Sequence, residues 1–413
     1  MKKQFATEYN PLYFLSSLGN GGLAVSFFIY LMFMVKHPDA PMATFGHVYP
    51  LLTGSNTRIA FLVGAAMAAI LYFTFRHFWL LARNLSAFSE YKKSEEYQKL
   101  ITSNSEVSLM AIPLTLAMSV NVSFIIGAVF VPGLWNIVET LFPFSIIAFT
   151  AVGILALKYF AHYAARVITK GDFDFIQNNH LGQMISSMAF IMVSVGLAAP
   201  AAMTKSPELS ALAIVLSIFF GSISLLLMMV KMVLGFKSIL RQGLAKESAP
   251  SIWSAIPILT LIGITGVRLT SAAFHNFLHT NPPALLMFFG LAFIISLQII
   301  TGFIGYIVLK RVGYFEEFVS GPKKSAGSFA LICPGVAFFV LGMFFISWGL
   351  VKTNILTMFS PAYFLILAPL VFVQFKTIHV LGKLNKKLLT ASTTEDDFSI
   401  IENINQGPLT TTT

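Results

Sequence analysis

Arg268 stands in Leu261-Ile-Gly-Ile-Thr-Gly-Val-Arg-Leu-Thr-Ser, well inside a hydrophobic stretch. Ser271 and His275 follow at i+3 and i+7, so the three polar groups share one helical face. A guanidinium keeps its proton at any practical pH and carries five N–H donors. In apolar surroundings it offers a permanent positive potential to an anion. The alternatives are snorkelling toward outer headgroups and a structural bond to the carbonyls of a kinked neighbour. Acidic residues are absent from the interiors of ten apolar stretches. The nearest, Glu139, lies at the outer start of the fourth. Proton-coupled carriers use intramembrane carboxylate or histidine relays, and cation channels use acidic rings. The pattern therefore argues against cation transport and for passage of anions.

Other polar groups lie where a pore lining would need them. Ser16-Ser-Leu-Gly19-Asn20-Gly21-Gly22 opens the first stretch. Its glycines weaken a helix locally and leave amides free for a solute, and tight helix packing explains Gly21 and Gly22 as well. Thr115, Ser119 and Asn121 in the third stretch and Ser194 in the fifth are uncharged donors suited to weak anion binding. Interhelical hydrogen bonds are the alternative for each. His275 and His279 are spaced i, i+4, with His37 and His47 in a loop on the same side, but the set is short of ligands and no metal is expected. No phosphate-binding Gly-Lys motif, His-Glu-x-x-His or nucleophile elbow is present, so neither an enzyme nor a cofactor is expected.

The elements that would position these groups follow from composition. The chain has 413 residues, 56% hydrophobic and 11% charged. A soluble domain has roughly 25% charged residues, and a spanning helix needs about 20 apolar ones. Ten spans are read at 14–35, 59–81, 108–131, 137–160, 181–204, 209–234, 253–277, 284–309, 328–350 and 354–378. The expected fold class is an all-α integral membrane protein, with a transmembrane domain over 1–387 and a disordered cytosolic tail over 388–413. The net charge of +10 does not indicate nucleic acid, because the basic residues cluster on one side. Of the 27 Lys and Arg, only Lys36, Arg58, Lys205, Arg268 and Lys352 lie on the other side. The positive-inside rule then places both ends of the chain in the cytosol. The single cysteine, Cys333, excludes an internal disulfide. Two loops carry expectations of their own. The mixed-charge run Glu90-Tyr-Lys-Lys-Ser-Glu-Glu reads as a surface helix, and the Pro- and Gly-rich loop 36–58 as a plain surface loop or a cover over an outer vestibule.

A weak repeat runs through the odd-numbered spans. Ala111-Ile-Pro113, Ala255-Ile-Pro257 and Ile332-Cys-Pro334 lie at similar depth near the cytosolic ends, while Pro200 lies near the outer end of span five. Proline inside a helix removes a backbone hydrogen bond and kinks it. Kinks at Pro113, Pro200, Pro257 and Pro334 would make the odd helices the lining and the even helices the outer layer.

Ten spans with cytosolic ends and proline-bearing odd helices resemble the tellurite-resistance/dicarboxylate transporter family, which includes slow anion channels and sulfite and malate exporters. The resemblance covers roughly 10–385. It implies five hairpins around a central pore in each subunit, a homotrimer, small anions and lipid as partners, and a plasma membrane location, the inner membrane in a bacterium. Family members are similar in the ninth span, where a Phe before Pro or Gly plugs the pore. Here Cys333 stands in that place. Cys333, Phe338, Phe339, Phe190 and Phe124 are therefore the gate candidates, with core packing the alternative for any one phenylalanine. Small inorganic anions are the expected cargo, organic or sulfur-containing acids the alternative, and a non-transporting membrane protein or embedded enzyme the further alternative.

Overall fold

The computed structural model describes residues 9–389, and the tail expected beyond Leu389 lies outside them. Among the described residues, ten helices are long and apolar enough to cross a membrane. They are α1 (Phe14–Met34), α2 (Thr57–Tyr91), α3 (Ala111–Phe130), α4 (Val138–Lys170), α5 (Ile185–Met203), α6 (Pro207–Gln242), α7 (Ala255–Asn276), α8 (Ala284–Arg311), α9 (Ile332–Phe344) and α10 (Pro361–Leu389). A π-helical turn, Phe345–Val351, extends α9.

Burial sorts these helices into two layers. Between 61 and 94% of the most apolar window of each odd-numbered helix is buried, against 17 to 28% for each even-numbered one. The odd helices form the inside of the molecule, and the even helices show apolar flanks such as Phe61, Phe144, Val215, Phe293 and Leu365 outward. Hydrocarbon solvates those flanks as well as protein would.

Each odd helix is entered through a 3-10 turn: Pro11–Tyr13, Asn104–Met110, Gly182–Met184, Lys246–Trp253 and Ala326–Leu331. This corrects the reading of three prolines as kinks. Pro113, Pro257 and Pro334 are each the third residue of their α-helix. The N–H groups of a first turn have no helical partner, so proline there breaks no hydrogen bond. These prolines mark the passage from 3-10 to α geometry. Pro200 does lie inside α5.

Two even helices, α2 and α6, open on polar caps. The Asn56 side chain accepts from the Ile59 N–H at α2, and Ser206 accepts from Leu209 at α6, with Pro207 at the first helical position. The mixed-charge run is no single helix: α2 ends at Tyr91, and Ser94 caps a new helix, Glu95–Ile101.

Buried polar side chains bind the outer layer to the inner one. On α2, His77 is fully buried and contacts Ser17 of α1 and, at 2.8 Å, Ser119 of α3. On α6, Ser217 and Ser224 exchange bonds of 2.8 Å with Ser194 and Ser187 of α5. Gln298 of α8 donates to the Ile256 carbonyl of α7. Gln374 of α10 donates to Ser26 of α1 and accepts from Tyr30. Near the start of α5, Gln183 receives Tyr163 of α4 and Lys231 of α6 and donates to the Asn104 carbonyl.

At the same end lies a buried ion cluster. Glu106 accepts from Arg166 Nε at 2.8 Å and faces His162 at 2.6 Å, and Arg166 also meets Asp172 and the Ser103 carbonyl. Glu106→Gln is expected to lower stability by roughly 1–3 kcal/mol, because the charge-assisted bonds to Arg166 and His162 weaken while Asp172 still compensates Arg166. Thermal melting of the detergent-solubilised protein would register this as a clear fall in Tm, and an unchanged Tm would mean the cluster is solvated.

Candidate functional site

Two cavities open along the axis of the inner layer. The first, about 450 Å³, is lined by the entry to every odd helix, from Asn10, Asn104, Gly182, Ser251 and Lys324 inward. The second, about 570 Å³, is lined by later parts of the same five helices, by Ser145 and Phe149 of α4, and by His37, Ala40, Pro41 and Met42. The loop after α1 thus reaches over this second cavity. It contains a helix, Phe45–Thr53, held at its start by Thr44 and His47. Among the described residues, Met188, Pro257 and Cys333 alone line both cavities. They form the partition between them.

The α7 face is placed as its spacing predicts. Arg268, Ser271 and His275 all line the second cavity. Arg268 Nη1 donates to the Val195 carbonyl of α5 at 2.8 Å. Val195 adjoins Gly196, whose carbonyl loses its helical donor because Pro200 has no N–H. The structural bond considered for Arg268 therefore exists, and it spends one of five donors. Ser271 Oγ is buried with no hydrogen-bond partner. No Asp or Glu lines this cavity. Its other cation, Lys352, sits with Nζ 3.2 Å from the Trp348 ring centroid, a cation–π contact at the cavity margin. The π turn after α9 carries Ser347, Trp348 and Val351 onto the cavity wall.

Several expected lining residues face elsewhere. Asn20 is buried and donates to the Ser16 carbonyl one turn back. A side chain at Gly21 would meet Met118 at 2.6 Å and His77 at 2.8 Å, so this glycine serves helix packing. Thr115 bonds the Ala111 and Phe14 carbonyls, Ser119 bonds His77, and Ser194 bonds Ser217. Asn121 and Gly22 do line the second cavity. Short polar groups on the odd helices thus divide between helix–helix bonds and cavity wall, and spacing alone does not separate the two.

The gate candidates divide as well. Phe190 is fully buried against Phe160 and Phe220, on the α5 face turned to the outer layer. Phe339 is buried against Tyr30, and Phe338 lines a lateral groove beside α8 and α10. None of these three reaches the axis. Phe124 lines the second cavity, near Trp135 and Phe142. Cys333 lies in the partition. Its companion Met188 is the residue that sequence reasoning missed. The signal was there: Met184, at the end of the 3-10 turn before α5, and Met188 and Met192 on α5 recur at i+4 and run from the first cavity to the second.

Charge differs between the two mouths. The first cavity carries Glu247, Lys324 and His180. Burial holds the His180 imidazole below its usual range, so it is neutral at pH 7, and Nδ1 accepts from the Gly182 N–H at 2.9 Å. At the second mouth, His47 Nε2 donates to Asp39 at 2.7 Å. His37 stands beside His47, but no group of three metal-ligating side chains occurs among the described residues.

Two outcomes test this geometry. Cys333 is the sole thiol, so Met188→Ala should speed its labelling by a small thiol reagent severalfold from either side of the membrane. Equal rates in the variant and the wild type would place the partition elsewhere. At the loop, the hydrogen bond from His47 holds the Asp39 carboxyl below the usual carboxylate range. Its folded value lies below the unfolded one of about 3.9, so the tie persists above about pH 4 and is lost as pH falls further. A spin label at Tyr49→Cys, in a Cys333→Ser background, should keep constant mobility from about pH 8 to 5 and gain mobility only below about pH 4. Comparison with protein families, curated proteins and solved structures finds no match to this chain.

Proposed function

We propose that the chain passes anions along the axis of its inner helix layer, as a channel or exporter. The observation that carries this reading is the pair of cavities that meet at Met188, Pro257 and Cys333, the larger one holding Arg268 and no carboxylate. A fixed guanidinium lowers the cost of bringing an anion into an apolar passage and repels cations. Its single bond to Val195 orients it and leaves other donors for the ion. Sites with few donors hold an anion weakly enough to release it.

The deeper burial of the odd helices supports this reading, and the resemblance drawn from the sequence adds five hairpins around one passage per chain and a homotrimer as part of the proposal. By charge distribution the first cavity faces the cytosol with both ends of the chain, and the second faces outward. A closed partition between two cavities also suits alternating access, so carriage of organic or sulfur-containing acids is the second reading.

Reconstitution into liposomes tests the proposal. Anion efflux should proceed with K⁺ retained, and Arg268→Gln should cut it at least about tenfold, the equivalent of about 1.4 kcal/mol. Movement of K⁺ in place of anions, or unchanged anion flux in Arg268→Gln, would overturn it.

A further inference from the structure

We propose that the second cavity binds organic anions with one negative charge on an apolar body, such as aromatic or branched aliphatic monocarboxylates. The inference rests on the anion reading above and names its substrate class. Charge, satisfaction, wall chemistry and size each contribute.

Arg268 is the only cation set deep in the cavity, and apart from Nη1 its guanidinium has no protein acceptor among the described residues. One turn further along the same face, Ser271 Oγ is buried, 6% exposed as a residue, and unpartnered. An unpaired buried hydroxyl costs free energy unless a ligand or water completes it. A carboxylate bridging Arg268 and Ser271 would accept from both, with a second oxygen suited to the planar guanidinium fork.

Most of the remaining wall is the wrong solvent for a bare inorganic ion, with Asn121, Thr260 and Ser347 as scattered polar groups. Met192, Phe124, Leu261, Phe344 and Trp348 surround the α7 face. Chloride placed there would exchange a full hydration shell for a few donors and mostly apolar contacts. An apolar body gains from the same surface. At about 570 Å³, the cavity lies in the range of small-molecule sites and far exceeds one halide. Methionine side chains adapt to different shapes, so the body can vary while the charge stays fixed.

The same wall rejects close competitors. A dicarboxylate would find no second fixed cation beside Arg268: Lys352 sits against the Trp348 ring at the margin, and the other basic side chains on the wall are the imidazoles of His37 and His275. A zwitterionic amino acid would find no carboxylate for its ammonium. Neutral amides would fit the walls and lose the charge pairing with Arg268.

Equilibrium dialysis of the full chain in lipid nanodiscs with radiolabelled benzoate tests this directly. Saturable binding is expected. Benzamide, succinate, phenylalanine and chloride should each compete at least about tenfold more weakly than unlabelled benzoate. Arg268→Gln should weaken benzoate binding at least about tenfold, and Ser271→Ala, which removes only a hydroxyl and so spares the fold if Arg268→Gln does not, about threefold. Chloride or succinate displacing benzoate on equal terms, or wild-type benzoate affinity in both variants, would overturn the proposal. Liposome flux on the same preparation separates the two levels. Chloride flux that depends on Arg268 without benzoate binding would sink the substrate class and leave the anion pathway standing. Flux of K⁺ alone would remove both.

Discussion

The fold depends on satisfying polar groups without water. In hydrocarbon an outer helix has no hydrophobic reason to prefer protein to lipid. What fixes it is a small number of buried hydrogen bonds whose alternative is an unpaired donor in an apolar medium. His77, Ser217, Ser224, Gln298 and Gln374 each reach from an even helix into the inner layer. Gln183 does the same work in reverse, receiving Tyr163 and Lys231 from two outer helices. Glycine completes the arrangement where backbones must approach, as at Gly21 beneath His77.

Those anchors explain why the axis is hollow. Polar groups spent between helices are withdrawn from the cavity, so its wall is left to Met, Phe, Leu and Trp with a few donors. Arg268 is both kinds of residue at once. It binds the α5 backbone next to the carbonyl that Pro200 leaves without a donor, and it still presents charge to the cavity. A wall this apolar with a single deep cation favours ligands that are themselves part apolar and part anionic.

The ten spans, the inner and outer layers and the Arg268–Ser271–His275 face were legible because each rests on local information. Span length and missing acids need only composition. A shared helical face needs only the spacing of i, i+3 and i+7. The prolines were legible as a repeat but not in their role. Pro113, Pro257 and Pro334 lie in first turns, a matter of one or two residues of helix boundary. Ser194 and Asn121 look alike in sequence, yet Ser194 faces Ser217 and Asn121 faces the cavity. Which side of an inner helix meets a neighbour depends on how that helix is rotated, and apolar surfaces on every side leave no periodic trace of it.

The sequence by itself determined that this chain holds ten stretches long and apolar enough to span a membrane, that the charge set inside them is positive, and that one side is more basic than the other. These are sums over residues and need no coordinates. Only the tertiary structure decided which polar groups are anchors and which are wall, and that Met188, Cys333 and Pro257 line both cavities. Those three come from α5, α9 and α7, far apart in the chain. Their meeting is set by the packing of whole helices, which no single stretch of sequence encodes.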